Sequence, residues 1–168
     1  MDRILPQGSE LFALVPKEDA PTEFEVIKVD CAISVDFGED ERDDLEDTCL
    51  EERDNHTTIP GLNTPGESAV TVRINPQNPG HVRLYQLSDT GERLLWALGW
   101  SDGTAPAAPK SGSTMEFELP TTRTWNVFQG HIKRFNFAGF EVGGEPIQGA
   151  ITIKRATKPV WVVKVPTP

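Results

Sequence analysis

Apolar and polar residues alternate along much of this chain, with the period of strands that bury one face. The most regular alternating run covers residues 27–37, where the apolar positions are Ile27, Val29, Cys31, Ile33, Val35 and Phe37. Further alternating runs predict strands over residues 70–75, 94–100, 115–119, 125–137 and 147–154. A phase slip at Gln129 and Gly130 predicts a β-bulge. The pattern therefore predicts six or seven strands, mainly antiparallel, in a β-sandwich or barrel.

One segment has the signals of a helix. Asn78 is a good N-cap, Pro79 suits the first helical position, and Thr90 and Gly91 form a stop signal about three turns later. Its apolar stripe is predicted to consist of Val82, Tyr85, Leu84 and Leu87.

The predicted strands and helix are separated by segments rich in turn-forming residues. Residues 1–23 carry three prolines around a short apolar run and are expected to form an arm with one edge strand. Turns are expected at residues 59–61 and 65–66, and a loop over residues 101–114.

The size and composition are those of one soluble globular domain over residues 1–168. The chain is 37% hydrophobic and 25% charged, and it contains no apolar run long enough for a membrane helix and no export signal. We therefore expect no membrane association. The two cysteines do not make a disulfide framework, and Cys31 is expected to be a buried thiol.

The negative charge is concentrated in one segment, residues 36–54. It holds eleven carboxylates and two arginines, so it accounts for about nine of the ten net negative charges. Such a density of like charge predicts a solvated, mobile acidic loop that orders when a partner neutralises it. The net charge also argues against tight binding of nucleic acid. The eleven carboxylates of this acidic segment are Asp36, Glu39, Asp40, Glu41, Asp43, Asp44, Glu46, Asp47, Glu51, Glu52 and Asp54.

No constellation of catalytic or metal-binding residues is recognisable. The three histidines are far apart and are expected at surface or turn positions, without zinc-ligand spacing. The acidic run lacks the order and the turn glycine of a calcium loop. We therefore predict no enzyme activity and no cofactor. The aromatic residues fit core packing better than a sugar-binding platform; they are Trp96, Trp100, Trp125, Phe135 and Phe137.

The order of these parts resembles the tail tube (major tail) proteins of long-tailed phages, in particular the lambda-type family. The similar features are an acidic loop before Ile59-Pro60-Gly61, an aromatic-x-Gly step at Phe128, Gln129 and Gly130, and a final strand of alternating Ile and Thr at residues 150–154. The resemblance covers about residues 24–163. It does not extend to an appended immunoglobulin-like domain, which this chain lacks.

The resemblance implies a structural virion protein that forms hexameric rings, which stack into a hollow tube for DNA ejection. DNA would pass through an acidic or neutral lumen without tight binding. The implied partners are further copies of the chain and the tape measure, tail tip and terminator proteins. Assembly would take place in the cytoplasm of the bacterial host.

The resemblance also implies roles for individual residues. The acidic loop, within residues 36–66, would form an inter-ring contact with bases such as Arg3, Lys17, Lys133 and Arg134. Asp30 and Asp36 would be candidates for the lumen wall, and Lys28 and Arg73 would pair across subunits. Ser34 and Thr71 are further candidates for the lumen or a subunit interface.

Two alternative functions remain open. One is a monomeric β-sandwich that binds a ligand through exposed tryptophans and does not self-associate. The other is the tube protein of a contractile tail or a secretion system, which would share the fold.

Overall fold

The prediction of a mainly antiparallel β fold with one short helix is confirmed by a computed structural model, which describes residues 3–111 and 114–166. These residues form twelve strands and one helix. In chain order the elements are β1 (Glu10–Pro16), β2 (Phe24–Lys28), β3 (Ala32–Asp36), β4 (Glu41–Glu46), β5 (Thr58–Thr64), β6 (Glu67–Arg73), α1 (Pro79–Thr90), β7 (Arg93–Gly99), β8 (Ala108–Ser111), β9 (Thr114–Glu118), β10 (Trp125–Ala138), β11 (Gln148–Arg155) and β12 (Val160–Val162).

One large antiparallel sheet dominates the molecule, in the order β2-β1-β7-β10-β11-β6-β3 with β12 beside the start of β10. The long strand β10 belongs to two layers, because it pairs with β7 from Trp125 to His131 and with β11 from Gly130 to Ala138. We call β2-β1-β7-β10 the first layer and β10-β11-β6-β3 the second layer. Apolar residues from both layers form the main core between them.

The two edges of the sheet meet at the turn between β2 and β3. The Val29 N–H donates to the Leu11 carbonyl of β1 at 2.8 Å, and the Arg73 N–H of β6 donates to the Cys31 carbonyl at 3.1 Å. The prediction of one continuous strand over residues 27–37 is therefore wrong. Cys31 is exposed and has φ 56°, so it is a turn residue and not a buried thiol.

Strand β1 lies inside the sheet, between β2 and β7, and not at an edge as predicted for the arm. All of its residues after Glu10 are buried. One face packs in the main core, and the other lies under the β8–β9 hairpin in a smaller core that includes Phe12, Ala97 and Trp125. The uninterrupted apolar run of residues 11–15 reflects burial on both faces.

The helix has the predicted bounds but a different buried face. Asn78 caps its N-terminus by accepting from the Gly80 N–H, and Gly91 ends it in the left-handed conformation. The buried side chains are His81, Leu84 and Leu87. Exposed fractions are 44% for Val82 and 43% for Tyr85, so these two residues do not form the core stripe that the sequence predicts.

His81 is buried at the base of α1, contrary to the prediction of a surface histidine. Its Nδ1 accepts from the Asn75 N–H at 3.1 Å, and its Nε2 lies 2.8 Å from the Asp30 carbonyl. The ring therefore links the helix to the turn that joins β2 and β3.

Three further details differ from the predictions. The expected loop at residues 101–114 includes β8, and β12 was not predicted. The bulge in β10 lies between Ile132 and Arg134, while pairing with β7 runs without a shift through Gln129 and Gly130. Most of the aromatic residues pack internally as predicted, but Phe137 is 47% exposed.

Candidate assembly surfaces

The acidic segment is a two-stranded hairpin, not a long loop. Strand β4 pairs with β5, so the expected turn at residues 59–61 is part of a strand, and all six residues of β4 are exposed. The hairpin is separate from the large sheet. Among the described residues, Asp40 is the one carboxylate of the segment that pairs with a lysine or arginine, namely Arg155, while Glu46 lies 3.4 Å from His56 Nδ1. The others are available to a partner.

A buried ion pair holds the base of this hairpin. Arg155, whose side chain is 0% exposed, donates from Nη1 to Asp40 Oδ1 at 2.6 Å. The Gly66 N–H donates to the same oxygen at 3.2 Å. Burial alone would raise the pKa of Asp40, but these two donors hold it below its ordinary value. Arg155 Nε and Nη2 have no hydrogen-bond partner among the described residues.

Two glycines let the chain pass closely where the hairpin leaves the sheet. A Cβ on Gly38, which has φ +70°, would lie 2.0 Å from the Glu67 carbonyl oxygen. A Cβ on Gly66 would lie 2.0 Å from the Glu39 carbonyl oxygen. With the ion pair, these approaches set the direction of the hairpin.

The hairpin also carries apolar side chains. Leu45 and Ile59 lie opposite each other in the ladder, and both are exposed. Leu62 is 84% exposed and Leu50, near the tip, is fully exposed. Four large apolar residues on an acidic hairpin without a core of its own are a feature of a binding surface.

The second layer presents a polar outer face made mostly of short side chains. One cross-strand row consists of Ser34, Thr71, Ala150 and Asn136, and the next row contains Asp36, Ala69, Thr152 and Arg134. Ser34, Thr71, Asp36 and Arg73, four predicted candidates for the lumen or a subunit interface, therefore come together on this face. In contrast, the outer face of the first layer is covered by β8 and β9.

The charges on this polar face are mixed. Lys133 pairs with Glu67. Arg134 and Arg73 are exposed and form no ion pair among the described residues, and Asp36 accepts the Gly38 N–H at 2.9 Å. This face therefore has no surplus of carboxylates.

Lys28 and Asp30 lie elsewhere and already have partners within the chain. Lys28 on β2 binds Glu10 at 2.6 Å, and this hydrogen bond lowers the pKa of Glu10, with a further contribution from Arg123. The Asp30 carboxylate accepts from Asn78 Nδ2 at 2.7 Å. Lys17, a predicted partner of the acidic segment, binds Glu23 at 2.9 Å.

Two buried arginines were not predicted. Arg123 has a 0% exposed side chain and donates to the carbonyls of Trp100, Ala105, Gly8 and Gly99 and to Glu10. It ties the N-terminal segment to the first layer. Arg155 could have been found from the period of β11, because it continues the inward-facing positions of Ile151 and Ile153.

An aromatic cavity of about 170 Å³ lies between α1 and the end of the second layer. Its walls include Ile74, Val82, Tyr85, Phe135 and Phe137. Tyr85 contacts both phenylalanine rings, with centroid distances of 5.4 and 5.6 Å. The cavity is open to solvent, as the exposure of Tyr85 and Phe137 shows.

Within residues 3–111 and 114–166, no group of three or more His, Cys, Asp or Glu residues is arranged to hold a metal ion. No helix in the same ranges is long and apolar enough to cross a membrane.

The fold is shared with a subunit of a phage tail tube and with a subunit of an anti-feeding prophage baseplate. A subunit of the SPP1 tail tube superposes with a TM-score of 0.59 at 8% identity, over 98% of this chain and 81% of that chain. A subunit of the anti-feeding prophage baseplate superposes with a TM-score of 0.60 at 6% identity, over 97% and 98% of the two chains. At these identities the likeness concerns the fold alone.

Sequence comparison identifies the family. The family model described as "Phage tail tube, TTP, lambda-like" matches residues 2–165. "Structural protein 3" of Pseudomonas phage PAJU2 is 34% identical over 154 residues, which cover 84% of this chain and 90% of that protein. The chain belongs to the lambda-like phage tail tube family. The resemblance in the sequence is thus confirmed, and the protein is a structural component of a phage tail.

Proposed function

We propose that the chain forms hexameric rings that stack into the hollow tail tube, with the polar outer face of the second layer lining the lumen. The observation that carries this proposal is the difference between the two layers. The first layer is covered on its outer face by an apolar cluster, whereas the second layer leaves a polar face uncovered. Short polar side chains without a dense basic stripe suit a wall past which DNA slides.

In this proposal residues 1–168 act as one unit, and the acidic hairpin within residues 36–66 makes the contact between rings. Most of its carboxylates are unpaired within the described residues, so a neighbouring ring would supply the neutralising charge. By family membership the tube would also contact tape measure, tail tip and terminator proteins. Assembly would take place in the host cytoplasm.

Negative-stain electron microscopy of the purified, concentrated protein across a range of salt tests tube formation. We expect hollow tubes of uniform width or stacked rings. Dispersed monomer under every condition would contradict self-assembly of the purified chain and would favour the alternative of a monomeric ligand-binding module.

A charge-neutralised hairpin tests the inter-ring contact. Replacing Asp43, Asp44, Glu46 and Asp47 by Asn or Gln is expected to abolish stacking without unfolding the sheet, because these side chains are exposed. The matched control makes the same charge change elsewhere, at Glu18, Asp19, Asp89 and Glu92, which are also exposed. Normal tubes from the hairpin variant, or equal loss in the control, would contradict a specific role for the hairpin.

A further inference from the structure

We infer that the aromatic cavity at the end of the second layer receives the apolar side chains of the acidic hairpin from a second copy of this chain. The inference rests on the proposed stacking of rings. It assigns the partner surface for the hairpin, which the fold and the family match leave open.

The first argument is placement. The hairpin leaves the sheet beside Glu67, at the start of β6, whereas Ile74 in the cavity wall follows directly after the end of β6. Seven residues of strand separate the two sites by roughly 23 Å. The hairpin and the cavity therefore lie at opposite ends of one strand. Copies related by translation along that strand would place the hairpin of one copy at the cavity of the next.

The second argument is chemical complementarity. The hairpin offers the exposed apolar side chains of Leu45, Ile59 and Leu62, which have no core of their own. The cavity offers partly exposed aromatic walls, chiefly Tyr85 and Phe137. Burial of these two apolar surfaces against each other would remove both from water.

The third argument is charge. Arg73, the last residue of β6, directly precedes Ile74 of the cavity wall, is exposed and forms no ion pair among the described residues. Asp30, which lies near His81 in the cavity wall, already accepts a hydrogen bond from Asn78. An unpaired arginine beside the cavity suits a hairpin that carries unpaired carboxylates.

Cross-linking within assembled tubes tests the contact. In a variant with Cys31→Ser and Cys49→Ser, Leu45→Cys on the hairpin is combined with Val82→Cys at the cavity rim; all four positions are exposed. A short bismaleimide should then give a ladder of covalent oligomers, because each copy contributes one hairpin and one cavity. The matched control pairs Leu45→Cys with Val160→Cys, an equally exposed position on β12, and should give no ladder.

The outcomes separate the inference from the proposed function. Tubes that form and give the ladder only with Val82→Cys support the inference. Tubes that form without this ladder, or with the ladder in the Val160→Cys control instead, overturn the inference and leave the tube function standing. If the unmodified protein forms no tubes, both fail.

A charge series at Val82 provides a second measurement. Val82→Asp places a carboxylate at the cavity rim and should raise the protein concentration needed for stacking by about tenfold. Val82→Asn controls for lost apolar area, and Val82→Lys should assemble at least as well as Val82→Asn. Since Val82 is an exposed helix position, all three should fold, which circular dichroism can verify. Equal assembly of the Asp and Lys variants would overturn the inference.

Discussion

The acidic hairpin and the large sheet are both antiparallel β structure, yet they are stabilised in different ways. The sheet encloses two apolar clusters, and its strands other than β12 pack at least one face against them. In the hairpin, all six residues of β4 are exposed, and the contact to the rest of the chain is concentrated at the base, around Asp40 and Arg155. The comparison indicates that the sheet provides the stability of the subunit, while the hairpin is an exposed surface to which the proposed function assigns a partner.

The largest expected effect comes from the core of the sheet. Phe128 is buried against Trp96 and Phe37. Phe128→Ala should lower the free energy of unfolding by about 4 kcal/mol, because it leaves a cavity in a packed core. Leu62→Ala on the hairpin is the matched control and should change it by less than about 0.5 kcal/mol. Urea unfolding measures both; similar losses would show that the hairpin is part of the stabilising core.

The next effect concerns the ion pair that joins the two regions. Asp40→Asn leaves the buried Arg155 guanidinium without its counter-charge and should lower the free energy of unfolding by about 3 kcal/mol. Asp44→Asn, the same chemical change four residues further along the hairpin, should have an effect within about 0.5 kcal/mol. Equal effects in urea unfolding would mean that the base of the hairpin is solvated like its outer part.

The pH dependence of stability follows from the same ion pair. The pKa values of Asp40 and Glu10 lie below their ordinary values of 3.8 and 4.5 in the folded chain. The unfolded chain therefore binds protons more tightly, so this stability is present above the ordinary values and is lost as the pH falls through the folded ones. The difference in unfolding free energy between the unmodified protein and Asp40→Asn should shrink from pH 6 to pH 3. A constant difference would contradict the ion pair.

The smallest expected effect lies at the turn that joins the edges of the sheet. Cys31 adopts a left-handed backbone conformation. This conformation is higher in free energy for a residue with a Cβ than for glycine. Cys31→Gly should therefore relieve this strain. The glycine also increases the conformational entropy of the unfolded chain, which opposes the gain, so the net increase in the free energy of unfolding should be about 0.5 kcal/mol. Cys49→Gly is the control, since Cys49 has no positive φ, and should be slightly destabilising. A loss at both positions would show that the turn is unstrained.

Sequence patterns predicted the elements in which buried and exposed positions follow the period of the secondary structure. Strands β6 and β11 follow their apolar alternation, and α1 follows its capping residues. The break at residues 29–31 could not be seen, because the apolar Val29 and Cys31 maintain the alternation through a turn. The central position of β1 was missed because its flanking prolines indicate an edge.

The assembly surfaces were predictable in charge but not in shape. The density of carboxylates identified the segment around Asp43 and Asp44, but like-charge repulsion argued for a loop and concealed the pairing of β4 with β5. Strand phase placed Ser34 and Thr71 on a polar face, whereas the destinations of Lys28 and Asp30 depend on contacts with Glu10 and Asn78 that only the fold reveals.

The interior position of β1 has a consequence for how the subunit is made. Glu10 pairs with Gly99 and Leu14 with Leu95, so β1 gains its second neighbour only after most of the first hundred residues have left the ribosome. The Arg123 contacts to Gly8 and Glu10 come later still. Such distant pairing implies a high contact order and refolding on a timescale of roughly milliseconds to seconds. Until then β1 remains an uncovered apolar segment, exposed to misassociation in the cell.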